Sequence, residues 1–225
     1  MKKTLESPEK RRALVTGMSA AVAGLAIAAA STASAQTDNS GAFTPARHDL
    51  DAWMGELGGN HRVFIDTASA QGGADALRYG SNILNAHQNA YAGSDADYAM
   101  VICYRHLSTP FGFNDAMWAK YGEQFKDIMS FTDPATGVAP VVNLMNQGNG
   151  PTTISTMGNR GVKFAICSSA TRFVAGRLAA VHGGTAEDMI TELMANAVPN
   201  SRFVPAGVMA MTRAQEYRYS LLYAG

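Results

Sequence analysis

The alternation of apolar and polar positions divides the chain into a regular series. Residues 13–30 (ALVTGMSAAVAGLAIAAA) carry no charge and follow the basic stretch MKKTLESPEKRR. Residues 36–60 start polar and end in Gly58-Gly59, with Leu50, Trp53 and Leu57 marking one short packed element after a tail. From residue 61 the pattern becomes periodic. Residues 61–68 (HRVFIDTA) predict a strand. Residues 72–90 carry Ala76, Leu77, Ile83 and Leu84 at helical spacing. Residues 97–106 (DYAMVICYRH) are a continuous apolar run, the mark of a strand covered on both faces. Residues 114–125 predict a helix capped by Asn114 or Asp115.

A long loop spans residues 132–151, and a short helix at 153–160 ends at Gly161. Residues 162–167 (VKFAIC) predict a third buried strand and 171–182 a helix stopped by Gly183-Gly184. Thr185 and Asp188 form a capping-box pattern that opens a helix to about residue 197. Residues 203–211 (FVPAGVMAM) read as the last strand and 212–224 as an amphipathic closing helix on Ala214, Tyr217, Leu221 and Leu222. Strands alternating with helices imply an α/β fold: a three-layer α/β/α sandwich with a mostly parallel sheet of four to five strands, a fifth being sought in the long loop.

The amino terminus changes the composition that matters. A basic segment, an uncharged run and Ala33-Ser34-Ala35 read as an export signal with cleavage after Ala35, the alternative being an uncleaved membrane anchor, because eighteen uncharged residues just span a bilayer. Arg11 and Arg12 directly before the run resemble a twin-arginine (Tat) signal, with Lys10 where Ser or Thr usually stands. The whole chain is 225 residues with a formal charge of zero; the 190 that remain after cleavage carry 13 basic and 16 acidic side chains, a net −3. The domains read as 1–35 signal, 36–60 tail and short element, and 61–225 α/β domain. A mildly acidic, periplasmic protein that meets the membrane only through its signal during export is expected. Such a charge argues against nucleic-acid binding.

Familiar motifs are missing. No GxGxxG follows the first strand, and there is no GxxxxGK[ST], HExxH, CxxC or GxSxG. Position therefore carries the functional reading, because ligands of open parallel sheets bind beyond the carboxyl ends of the strands. Those ends offer Asp66 and Thr67, then Arg105 and His106, then Cys167, Ser168 and Ser169. Cys167 also precedes a helix, whose N-terminal partial charge stabilises a thiolate, and Arg172 in the first turn would add to that field. Each residue also has a plainer reading. Cys167 can be core, His106 can bond its own loop, and Asp66 can cap a turn. Cys103, in mid-strand, reads as structural, and His61, His87 and His182 as surface.

Three segments resemble one family. GVKFAIC (161–167) leading into a helix, VPAGVMAMTRAQEYRYS (204–220) closing the domain, and RHLSTPFGFNDAMWAKYG (105–122) are similar to DsrE/DsrF-like proteins, relatives of sulfur-relay subunits. The likeness spans about residues 61–225. It implies an α/β/α sandwich, homo-oligomers, and a persulfide carried on the cysteine matching Cys167. Exported relatives often have a further cysteine near the closing helix, where this chain has EYRY at 216–219.

Two function classes follow. One is a sulfur carrier or sulfurtransferase-like protein with Cys167 as the sulfur-carrying residue, His106 and Arg172 stabilising the anion, and a donor or acceptor protein as partner. The other is a non-enzymatic oligomer whose crevice, formed by Asp66, His106 and the 132–151 loop, holds a small ligand or metal. Asp66, Thr67, Arg105 and Ser168 are the ligand-side candidates, and no cofactor or resident metal is expected. A third, weaker reading pairs Cys103 with Cys167 as a redox sensor.

Overall fold

A computed structural model describes residues 44–147, 150 and 152–225; the signal and cleavage site read in the sequence lie outside the described residues. The chain forms one five-stranded, wholly parallel sheet of β1 (His61–Thr67), β2 (Tyr98–Tyr104), β3 (Lys163–Cys167), β4 (Ser201–Val204) and β5 (Ser220–Ala224). Their order across the sheet is β4-β3-β2-β1-β5.

That order dictates where the helices lie. Strands β1 to β4 step in one direction, so right-handed crossovers put their connections on one face. These are α2 (Ala70–Tyr91), α3 (Asp115–Met129), α4 (Ile154–Asn159), α5 (Ser168–His182) and α6 (Ala186–Ala195). The return from β4 to β5 runs the other way, so α7 (Gly207–Glu216) crosses the opposite face, beside the short α1 (Trp53–Glu56). The core divides accordingly. Leu77, Leu84, Trp118, Phe125, Val174 and Leu178 pack on Ile65, Ile102 and Phe164. Ala210 and Ala214 of α7, with Trp53 and Met54 of α1, pack on Phe64, Val101, Cys103 and Ala165. The molecule is thus an α/β/α sandwich with one thick and one thin outer layer.

Local signals set most boundaries. Ser69 caps α2, its Oγ accepting from the Gly72 amide at 2.9 Å. Asn114 caps α3 by accepting from Ala116 and Met117. The Thr185–Asp188 capping box opens α6. Of the three apolar positions in 50–57, Trp53 is buried and Leu57 partly so, whereas Leu50 is 70% exposed; Met54 takes the inward place.

The C-terminal third differs from the pattern. The strand expected at 203–211 stops at Val204, because Pro205 cannot donate to a ladder and Gly207 begins α7. The expected closing helix ends at Glu216. Arg218 takes φ +66°, and the following residues pair with β1 as the fifth strand, Leu221 opposite Phe64 and Leu222 opposite Ile65. The long loop supplies no strand among its described residues. It is pinned instead by buried Asn143, whose Nδ2 donates to the carbonyls of Phe111 and Phe113 at 2.9 and 2.8 Å.

Candidate functional site

In a parallel sheet, a crevice opens where neighbouring strands send their next helices to opposite faces. Here that point lies between β3, which runs into α5, and β4, which leads to α7. A cleft of about 370 Å³ occupies it, lined by Arg105, His106, Cys167, Phe173, Gly207 and Val208 among others.

Cys167 is the last residue of β3 and the N-cap of α5. Its Sγ accepts from the Ala170 amide of α5 at 3.4 Å and from the Gly207 amide of α7 at 3.2 Å. Two helix N-termini therefore meet at one sulfur, and both present partial positive charge to it. Ser169 ties the two helix starts together by donating its hydroxyl to Pro205 O at 3.0 Å. The approach depends on Gly207: a Cβ there would stand 2.6 Å from Arg105 Cβ.

Arg105 follows β2. Its Nε and Nη2 donate to the two oxygens of Asp66, each at 2.7 Å. The Asp66 side chain is 1% exposed and that of Arg105 19%. Asp66 is therefore a holder of the guanidinium rather than a free acid. The hydrogen bonds to Asp66 and its charge raise the Arg105 pKa, so the side chain stays cationic. Nη1 keeps no partner among the described residues. Ser108, which the sequence did not single out, fixes the turn. Its Oγ accepts from the Arg105 amide at 3.0 Å and lies 2.7 Å from Thr67 Oγ1.

The other sequence candidates fall in different places. His106 lines the cleft, is exposed, and turns the chain with φ +54°. Thr67 faces the other side of the sheet, fully buried, donating to Cys103 O at 2.7 Å. Ser168 is half-buried and Arg172 exposed; neither is in the cleft wall, which takes Ser169, Ala170 and Phe173 from α5. The reason is helical phase, since 169, 170 and 173 share one stripe and 168 and 172 the next. The crevice imagined between Asp66, His106 and the long loop does not assemble. Asp66 lies beneath Arg105, and the loop lines a separate groove against α2.

Cys103 is fully buried, and that burial pushes its thiol up, with Asp66 adding to the effect. Both cysteines are free. Cys103 pairs with Ala165, two residues short of Cys167. Strand spacing and rise then put the two Cα atoms about 8 Å apart, beyond the roughly 7 Å a disulfide spans. The redox-pair reading lacks the geometry. His87, read as surface, is mostly covered; its Nε2 lies 3.0 Å from Asp97 Oδ2 and its ring packs against His61 and Tyr98. Among the described residues no three His, Cys, Asp or Glu side chains converge as a metal-ligand set.

Sequence reasoning missed Leu107, Ala170 and Phe173 of the cleft wall, and Ala206, Gly207 and Val208 at the start of α7. For α7 the signal was present in Pro205-Ala206-Gly207, where a proline and a glycine interrupt the apolar run. Comparison with family models, with curated proteins and with solved structures finds no match.

Proposed function

We propose that this protein is a sulfur carrier of the DsrE/DsrF type, in which Cys167 holds sulfane sulfur as a persulfide and passes it to a partner thiol. The observation that carries the reading is the sulfur at the meeting of two helix N-termini, with the Arg105 cation in the same cleft wall. A persulfide anion needs such donors, and it needs an opening through which a second sulfur can arrive.

The step balances without an external oxidant. The Cys167 thiolate attacks the outer sulfur of a donor such as thiosulfate. The new S–S bond forms on Cys167, the donor S–S bond breaks, and sulfite leaves with the bonding pair. An acceptor thiolate then attacks the terminal sulfur and regenerates the Cys167 thiolate. In this reading Arg105, held by Asp66, supplies the cation first assigned to Arg172. His106 at the mouth serves proton exchange with the arriving thiol. The protein would act in the periplasm after cleavage at Ala35, as a homo-oligomer.

Intact-mass measurement tests the reading. Treatment with thiosulfate or polysulfide adds one sulfur to the native protein and none to Cys167→Ser. No adduct, or an equal adduct in the variant, rejects it. One observation favours the alternative of a ligand-binding protein: Cys167 is only 6% exposed. Native alkylation separates the two. A carrier is modified at Cys167 while folded and at Cys103 only after unfolding; a binding protein protects both until it unfolds.

A further inference from the structure

We infer that the Cys167 cleft takes an organic sulfur donor, with an anionic sulfane-bearing head on an apolar body, in preference to an inorganic sulfur oxyanion. The inference rests on the sulfur-carrier reading and specifies its substrate class.

Two features of the cleft point to different parts of one ligand. One end is polar. Two amides donate there to Cys167 Sγ, and Arg105, bound to Asp66 and with Nη1 unpaired among the described residues, lines the wall; none of the described lining residues is a carboxylate. The other end is apolar. Leu107, Phe173 and Val208 form it, and the last two are 58% and 53% exposed although they flank a concave site. Exposed large side chains from two different helices, facing the same cleft, are a surface waiting to be covered. An inorganic oxyanion would reach the donors and leave that wall wet. An aryl or alkyl thiosulfonate, or an apolar persulfide, would use both ends. The volume of about 370 Å³ is in the range of small-molecule sites and exceeds what a bare oxyanion fills.

The chemistry is the one already written, with a different leaving group. The Cys167 thiolate attacks the sulfane sulfur of R–SO2–S⁻. The persulfide forms on Cys167, the donor S–S bond breaks, and the sulfinate R–SO2⁻ departs with the electron pair. Charge and sulfur oxidation level are conserved. The R group lies against Phe173 and Val208.

A donor series tests this on the full-length protein: thiosulfate, methanethiosulfonate and benzenethiosulfonate. Each rate of persulfide formation at Cys167, read by intact mass, is divided by that of a free thiol with the same donor. This removes intrinsic leaving-group reactivity. Benzenethiosulfonate is expected to lead methanethiosulfonate by about tenfold or more, the usual discrimination of an apolar pocket. Phe173→Ser and Val208→Ser, both at exposed positions, are expected to bring the normalised benzenethiosulfonate rate down toward the methanethiosulfonate rate. Equal normalised rates for the three donors, or a lead that both variants keep, overturn the inference and leave the carrier reading standing. No adduct from any donor overturns both.

Discussion

At the scale of single residues, the site turns on who holds whom. Asp66 would be a natural acid at a strand end, yet both its oxygens are committed to Arg105. A buried carboxylate facing a guanidinium is retained for position, because removing one partner leaves an uncompensated charge. Asp66→Ala is expected to lower stability by about 3 kcal/mol in denaturant unfolding, the lower end for a broken buried pair, since Arg105 keeps 19% of its side chain in water. A loss too small to resolve would mean that packing on Gly207, not the ion pair, holds the guanidinium. Cys167 shows a related dependence. Its residue type was legible at once, but its donors come from Ala170 and Gly207, three and forty residues on. Only the first of these is local.

At the scale of elements, the C-terminal segment shows how one pattern serves two structures. Tyr217, Leu221 and Leu222 suit one face of a helix, and SLLYA suits a strand equally well. Pairing with β1 decides, and it sends Leu221 and Leu222 to opposite faces. Leu222 packs on the core under α2, while Leu221 is 37% exposed. Leu222→Ser is therefore expected to cost about 2 kcal/mol and Leu221→Ser less than about 0.5 kcal/mol. Equal losses in thermal or denaturant unfolding would restore the helix. The turn before β2 gives a pH-dependent case. Asp97 accepts from the Ser94 amide at 2.7 Å and pairs with His87, and these contacts, the backbone one foremost, hold its pKa below the ordinary 3.8. A depressed carboxylate contributes above its unfolded value and loses that contribution as pH falls through the folded one. Asp97→Ala is thus expected to lower the thermal midpoint at pH 7, with the gap to the unaltered protein closing as the pH falls below 3.8. A gap that persists there would assign the loss to packing.

At the scale of the whole molecule, strand order makes the site. Four strands stepping one way and a fifth returning on the other side leave a single reversal, between β3 and β4, and the cleft lies there. The sequence by itself determined the α/β class, the first three strands, the caps at Asn114 and Thr185 and the placing of Cys167 at a strand end. Each follows from neighbours a few positions apart, through apolar periodicity and capping side chains. Only the tertiary structure decided that the last segment is a strand, that α7 caps the sulfur, and that Arg105 rather than Arg172 enters the cleft. Those outcomes depend on contacts across the sheet, such as β5 on β1 and Gly207 on Cys167. No local pattern encodes them, because a helix and an edge strand of similar apolar content are separated only by what they pack against.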